Sequence, residues 1–162
     1  MKRLLTALLA LLGLLSAPAC FAIGPYLTGT ALPAGELPAL MAQLEQKLRA
    51  DGFNVIGRHL PRGLPQQGSI VLTDAKLLDA VRAAGGPAIV AAAIRVGVKS
   101  DGTVSYMNPD YWGRAYLRGQ FDAAQPALRS VRERLAHALG AGASFGGDVP
   151  EAELANYRYM FG

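Results

Sequence analysis

A two-residue turn signal, Asp101-Gly102, constrains the fold of this chain more than any other feature. Before it, residues 94–99 alternate apolar with polar or small side chains, which is typical of a strand with one solvated face. After it, residues 103–107 have the composition of a returning strand. Because Asp-Gly between two strand patterns favours a tight hairpin, the sheet must contain an antiparallel pair.

Strand and helix patterns alternate through the rest of the chain. Strand-forming segments lie at 26–32, 53–60, 69–72, 88–99 and 103–107. Helical patterns lie at 35–50, from Thr73 or Asp74 to 84, from Pro109 and from Asp122. Thr73 or Asp74 can cap the second of these helices, and Asn108 is the expected N-cap of the third. This β-α-β-β-α-β-β order, followed by helices, predicts an α+β fold with a mostly antiparallel sheet and helices packed on one face.

Two of the helical segments carry a single apolar stripe. In the first, apolar residues recur at helical spacing, and they are Leu37, Leu40, Met41, Leu44 and Leu48. In the last long helix the stripe consists of Leu128, Val131, Leu135 and Leu139. One apolar face on each helix predicts that both helices pack on the core.

The chain after this helix begins with a glycine-rich segment and ends with an aromatic group. Residues 140–147 are rich in glycine and predict a flexible connector, since they lack the Lys-Ser/Thr ending of a phosphate-binding loop. Asp148 and Glu151 have the spacing of a capping box, which predicts a short helix through Tyr157. A closing aromatic group, which either docks on the core or contacts a partner, consists of Tyr157, Tyr159, Met160 and Phe161.

Residues 1–22 have the organisation of a cleavable secretory signal. A basic start is followed by an apolar run at 4–15, which is too short to span a bilayer, and then by small residues. We expect cleavage after Ala22, which leaves residues 23–162 as one periplasmic domain without a transmembrane segment. Cleavage after Ala19 is the alternative and would make Cys20 the first residue, as in a lipoprotein, although Ala17 stands where a lipobox has Leu.

Cleavage after Ala22 limits the chemistry of the mature chain. It removes the only cysteine, so no disulfide and no catalytic thiol remain. Because Lys2 and Arg3 leave with the signal, the formal net charge falls from +4 to +2. So small a charge argues against nucleic-acid binding.

Three stretches between residues 25 and 109 match a known pattern. They are DGFNVI at 51–56, DAKLLDAVRAAG at 74–85 and AIVAAAIRVGVKSDGTVSYMNP at 88–109. In these stretches the chain resembles the domain-of-unknown-function 302 family. The resemblance implies a compact α+β fold with a curved antiparallel sheet, often dimeric, and it implies no activity. Residues 110–162 lie outside it and form a C-terminal helical extension.

The chain departs from the family in two places. Some members carry Cys-Asn-Pro before the second helix, where this chain has Leu72-Thr73-Asp74. Others have a Pro-Cys pair before the long strand, where this chain has Ala91-Ala92-Ala93. A thiol or metal role that depends on those cysteines is therefore not transferred.

The stretch from 106 to 117 holds three of the six tyrosines and the only tryptophan. On a helix opened by Pro109, Trp112 and Tyr116 are i, i+4 neighbours, as are Asp110 and Arg114. Such a helix can stack a planar or amphipathic ligand and surround it with polar groups. The candidate ligand-binding residues are Tyr106, Asn108, Asp110, Tyr111, Trp112, Arg114 and Tyr116.

Other interpretations of the same residues stay open. The aromatic side chains are also typical of packing between a helix and a sheet, with Asp110 and Arg114 as an ion pair. We expect a non-enzymatic binding or accessory module. The alternatives are a small enzyme that uses Tyr, Arg and Asp side chains, and a module that binds only a homodimer partner or another periplasmic protein.

The sequence predicts neither a metal site nor a cofactor. His59 and His137 lie on different elements without zinc-site spacing. A Cu(I) site built from Met41, Met107 and Met160 is a weaker alternative, since Met41 lies on the core stripe. No Gly-x-Ser-x-Gly elbow is present, and no serine has an identifiable catalytic partner.

Overall fold

The computed structural model describes residues 22–147 and 149–156, and this part of the chain contains eight strands, five α-helices and two 3₁₀ segments. The strands are β1 Ala22–Ile23, β2 Tyr26–Thr28, β3 Asn54–His59, β4 Gln67–Thr73, β5 Ile94–Lys99, β6 Val104–Met107, β7 Ser144–Phe145 and β8 Val149–Pro150. The α-helices are α1 Leu37–Ala50, α2 Ala75–Ala84, α3 Pro109–Leu117, α4 Phe121–Leu139 and α5 Glu151–Leu154. The 3₁₀ segments are Gly86–Ala92 and Arg118–Gln120.

Six of the strands form one sheet in the order β3-β4-β5-β6-β2-β7, and every neighbouring pair is antiparallel. A separate antiparallel pair joins β1 to β8. The predicted α+β class with an antiparallel sheet is therefore confirmed. Short strands β7 and β8 also show that the segment after Pro109 is not purely helical.

The predicted hairpin lies between β5 and β6. The backbone N–H of Thr103 donates to the side chain of Asp101 at 2.8 Å, which closes the turn. Gly102 has a φ of 89°, and a Cβ at this position would collide with the carbonyl oxygen of Leu32. Glycine is required here both by the backbone conformation and by the neighbouring chain.

One core joins the sheet to α1, α2 and α4. The stripes predicted for α1 and α4 are buried, and at their centres Leu48, Val131 and Leu135 have no exposed surface. Ile70 and Val96 meet them from the sheet and are equally buried. Burial of this apolar area supplies the main force that holds the helices on the sheet.

A buried carboxylate links the start of α2 to α4. Asp74 caps α2, because its Oδ1 accepts from the N–H of Leu77 at 2.9 Å. Its Oδ2 accepts from Arg134 at 2.5 Å, and the Arg134 guanidinium also lies 4.6 Å from the centre of the Phe53 ring. The cap that the sequence predicts is therefore also part of a tertiary contact.

The predicted strand at 88–99 is wrong in its first half. Gly86–Ala92 is a 3₁₀ helix, and the strand begins only at Ile94. Alternation of buried and exposed side chains starts at Ile94, whereas Ile89 and Val90 are both exposed. An apolar run without alternation does not distinguish a strand from a helical segment, so periodicity could not place this boundary.

The prediction of a flexible connector at 140–147 is also wrong. Ser144–Phe145 pairs with β2, and the N–H of Gly142 donates to the carbonyl of Thr28 at 2.9 Å. A Cβ at Gly140 would collide with Thr30. Glycines therefore allow this segment to approach the sheet edge closely.

The last helix differs from the predicted capping box. It begins at Glu151 with Pro150 as its N-cap, and no side chain caps it. Asp148 lies outside the described residues. So does the predicted helix end at Tyr157, together with the closing aromatic group and the signal segment 1–21.

Candidate functional site

Helix α3 carries most of the predicted site, and its N-terminus is tied to the start of the described chain. The side chain of Asn108 accepts from the N–H of Asp110 at 3.1 Å, which is an N-cap contact. Its Nδ2 donates to the carbonyl of Gly24 at 2.9 Å. Trp112 Nε1 donates to the carbonyl of Pro25 at 2.8 Å. Asn108 and Trp112 therefore anchor the Gly24-Pro25 segment.

Two of the predicted tyrosines are buried. Tyr106 is 1% exposed, and its hydroxyl donates to the carbonyl of Gly140 at 2.7 Å. Burial raises the pKa of Tyr106, so its phenol stays protonated at neutral pH. Tyr111 is 6% exposed and meets the Trp112 ring edge-on, with 5.1 Å between ring centres.

Asp110 and Arg114 do not form the predicted i, i+4 pair. Asp110 binds Arg132 of α4 at 2.5 Å, whereas Arg114 binds Glu151 of α5 at 2.7 Å. The Arg114 guanidinium also lies 4.3 Å from the centre of the Phe121 ring, and its buried Nε has no hydrogen-bond partner among the described residues. Partners on neighbouring helices hold the two side chains apart.

An aromatic strip, made of Phe145, Tyr26, Trp112 and Tyr116, runs from the sheet edge onto α3. Successive ring centres lie 5.6, 6.2 and 5.0 Å apart, and the last pair is stacked. Burial raises the pKa of Tyr116, and the nearby positive charge of Arg95 partly opposes this effect. The strip ends at a half-buried phenol beside a basic side chain.

Among the described residues, the interior space that Trp112 lines is too small for a ligand. The interior space there is about 20 Å³, close to the volume that one water needs. Its walls are apolar and include Leu77, Ile94, Met107 and Leu128. The inner face of α3 is therefore occupied by packing.

The other side of Tyr116 borders a larger, open cleft of about 390 Å³. One wall is the 3₁₀ segment after α2, which contributes Pro87, Ala88 and Val90. The opposite wall is the end of α3, which contributes Tyr116, and the following turn, which contributes Arg118 and Gln120. An apolar wall facing a few polar groups, at this volume, is typical of small-molecule sites.

Arg118 has an unusual backbone. Its φ of 48° makes it the one non-glycine residue with a positive φ in the described ranges 22–147 and 149–156. Its ψ is −119°, a combination that L-residues adopt at a cost of roughly 1–3 kcal/mol. Its side chain is exposed, and no described residue forms an ion pair with it. This conformation directs the chain from α3 into the turn that forms the cleft wall.

The structure thus separates the predicted site residues into two groups. Only Tyr116 lines the cleft, and Trp112 supports it by stacking. The remaining predicted residues cap a helix, pack against neighbouring residues or form ion pairs with other elements. They are Tyr106, Asn108, Asp110, Tyr111 and Arg114. Sequence reasoning missed Val90, Arg118 and Gln120. The Gly85-Gly86-Pro87 break and the Arg118-Gly119 turn are the local signals that mark the cleft walls.

Metal ligands are not gathered at this site. Within the described part of the chain, no group of three His, Cys, Asp or Glu side chains is arranged to hold a metal ion. Met41 and Met107 are buried, and Met107 Sδ accepts from the N–H of Arg95 at 3.3 Å. Met160, the third residue of the Cu(I) alternative, lies outside the described residues.

None of the helices in the described residues is both long enough and apolar enough to cross a membrane.

Comparisons with known proteins add a likeness of fold. No family model matches the chain, and no curated protein matches it. Among solved structures, it is similar to the crystal structure of an uncharacterized conserved protein, DUF302, from Bacillus stearothermophilus. The identity is 16%, the match covers 70% of this chain and 94% of that chain, and the TM-score is 0.49. The solved structure carries the name of the family that residues 25–109 resemble, and the likeness concerns the arrangement of the chain alone.

Proposed function

We propose that this protein is an exported, non-enzymatic module that binds a small amphipathic molecule. The observation that supports this most is the cleft of about 390 Å³ between the 3₁₀ segment Gly86–Ala92 and the end of α3. Its apolar wall suits a hydrocarbon or ring face. Its polar wall offers a phenol, a guanidinium and an amide, which suit an anionic or hydrogen-bonding end group.

Charge also supports an anionic end group. Arg118 is exposed at the cleft, and none of the residues that line the cleft is acidic. A guanidinium binds a carboxylate through two parallel N–H donors, which fixes orientation as well as charge. The neighbouring Tyr116 belongs to the same wall and contributes aromatic surface beside Arg118.

Export is the second part of the proposal. It rests on the signal-like organisation of residues 1–22, the last of which, Ala22, is also the first residue of β1. Cleavage after Ala22 would leave the Ile23–Val149 pair intact and would remove its neighbour, the Ala22–Pro150 pair. The N-terminal mass of the protein from its own periplasm tests export and distinguishes this cut from one after Ala19.

Native mass spectrometry of the protein purified from its own cells tests the binding role. We expect a small co-purifying molecule on the unaltered protein and its loss from Val90→Glu, which places a carboxylate in the cleft. The control is Ile89→Glu, because Ile89 is 63% exposed on the same segment and does not line the cleft. If both variants retain the molecule, or if the unaltered protein carries none and binds none in a ligand screen, the proposal is wrong.

A second candidate function is partner binding through the β3–β4 hairpin. Three apolar side chains are about half exposed there: Ile56, Leu60 and Leu64 at 59%, 54% and 49%. Residues 52–73 contain no acidic side chain. Exposed apolar groups gathered in one hairpin are typical of contact surfaces. A Leu60→Ser, Leu64→Ser double variant that loses a protein partner in crosslinking, while Val90→Glu keeps it, would support this alternative.

A further inference from the structure

A smaller groove continues the cleft along the seam between α2 and α4. It has a volume of about 80 Å³, and it shares Ala84 and Gln120 with the cleft. Its other lining residues are Ala80, Ala83, Ala123 and Ala124. Five of its six lining side chains are therefore methyl groups, and the amide of Gln120 lies at the junction.

The shape of this groove restricts what can lie in it. Methyl side chains on two neighbouring helices leave a trough at the surface, because any longer side chain at these positions would fill it. Such a trough accommodates an unbranched alkyl chain more readily than a ring or a branched chain. It offers no charged side chain and only one amide, so the groove itself has few hydrogen-bond partners for a polar group of a ligand.

The cleft next to the groove provides the complementary end. Arg118 and Tyr116 lie on its polar wall, and Arg118 forms no ion pair with a described residue. A ligand with its alkyl chain in the groove would therefore bring its head group to the guanidinium of Arg118. Opposite charge at that end favours an anionic head over a neutral or cationic one.

We infer that the ligand is a straight-chain alkyl carboxylate, with its alkyl chain along the alanine groove and its carboxylate at Arg118. This inference rests on the proposed function and specifies the ligand class for the same site. An anionic lysophospholipid shares the alkyl chain and the negative charge, but its charge is on a phosphate because its acyl carboxyl group is an ester. Binding of both molecules is therefore measured.

The test is a chain-length series of straight-chain carboxylates from butanoate to decanoate, all below their micelle concentrations. Trp112 is the only tryptophan and stacks on Tyr116, so its fluorescence reports occupation of the cleft. We expect the Kd to fall by about fourfold for each added methylene until the groove is full. An alcohol of equal length should bind more weakly than the carboxylate, and an anionic lysophospholipid arm shows whether a larger head is accepted.

Two variants separate the groove from the rest of the surface. Ala123→Leu fills the groove from an exposed position on α4, so it should leave butanoate binding intact and abolish the gain from longer chains. Ala42→Leu makes the same change at an exposed position on α1 and should behave like the unaltered protein.

The outcomes distinguish the alkyl carboxylate inference from the proposed function. If carboxylates bind but Ala123→Leu keeps the full chain-length dependence, the alkyl inference is wrong and the cleft remains a binding site. If only branched or aromatic molecules bind, and Val90→Glu blocks them, the inference is again wrong while the proposed function stands. If nothing binds in a manner that Val90→Glu affects, both are wrong.

Discussion

Trp112 Nε1 donates a hydrogen bond of 2.8 Å to the carbonyl oxygen of Pro25, 87 residues earlier in the chain. The same indole ring stacks on Tyr116, with 5.0 Å between ring centres. One side chain thus connects the start of the described chain to the wall of the cleft. The tryptophan that made this segment conspicuous in the sequence supports the site and does not line the cleft.

Replacement of Trp112 by Phe tests this support. The variant keeps an aromatic ring on Tyr116 but removes the indole donor, while Pro25 still accepts from the N–H of Asn108 at 2.9 Å. Because one neutral hydrogen bond is lost without leaving a bare carbonyl, we expect the free energy of unfolding to fall by about 1 kcal/mol. Urea unfolding followed by circular dichroism measures it, and unchanged stability would show that the contact contributes nothing.

The Asp74–Arg134 pair should matter far more than an exposed pair of the same type. The side chain of Asp74 is 5% exposed, so Arg134→Gln leaves a buried carboxylate without its cation. We expect the free energy of unfolding to fall by about 2–3 kcal/mol. The control is Arg82→Gln, since the Arg82 and Asp79 side chains are 69% and 76% exposed and the change should stay below about 0.5 kcal/mol. Equal effects of the two substitutions would contradict this account.

The Glu45–Arg58 pair predicts a pH dependence. A hydrogen bond from Arg58 is the main cause that lowers the pKa of Glu45 from its ordinary value of 4.5, although burial opposes it. A carboxyl group whose pKa is lower in the folded state stabilises the fold above its unfolded pKa and stops doing so as the pH falls through its folded pKa. Urea unfolding of Glu45→Gln and the unaltered protein should therefore differ most at neutral pH. The difference should shrink below about pH 4.5, and a difference that grows in acid would refute the assignment.

Replacement of Arg118 should stabilise the fold and weaken the binding of a ligand in the cleft. Its φ of 48° favours glycine, so Arg118→Gly relieves backbone strain and should raise the free energy of unfolding by roughly 0.5–1 kcal/mol after the entropy cost of glycine. Arg129→Gly, at an exposed position inside α4, should lower it by about 1 kcal/mol. Loss of stability in both variants would show that Arg118 is not strained.

Local signals in the sequence are sufficient to predict much of the fold. The Asp101-Gly102 turn, the Asn108 cap and the apolar stripe of α1 each depend on neighbours within a few residues, and each is present. Asp110 and Arg114 were paired incorrectly because their partners, Arg132 and Glu151, come from other helices. Sequence spacing reports neighbours on one helix, whereas tertiary packing selects the ion pairs.

The cleft could not be predicted from the sequence either, because it also depends on tertiary packing. It exists because the turn at Arg118 approaches the 3₁₀ segment that carries Val90, two segments nearly thirty residues apart in the chain. The sequence predicts a strand through Val90, and a strand there gives no indication of the cleft wall that the 3₁₀ segment forms. Backbone strain at Arg118 has no reliable sequence signature, since arginine is not a residue that favours positive φ.

Two-dimensional NMR of the isotopically labelled protein with octanoate tests the central claim most directly. If the cleft is the binding site, amide and methyl shifts should change at Val90, Tyr116, Arg118 and Gln120 and should saturate together. The signals of Ile56, Leu60 and Leu64 on the hairpin should stay in place. Saturable shifts confined to the hairpin would contradict the account, whereas the absence of any shift would overturn the alkyl carboxylate inference alone.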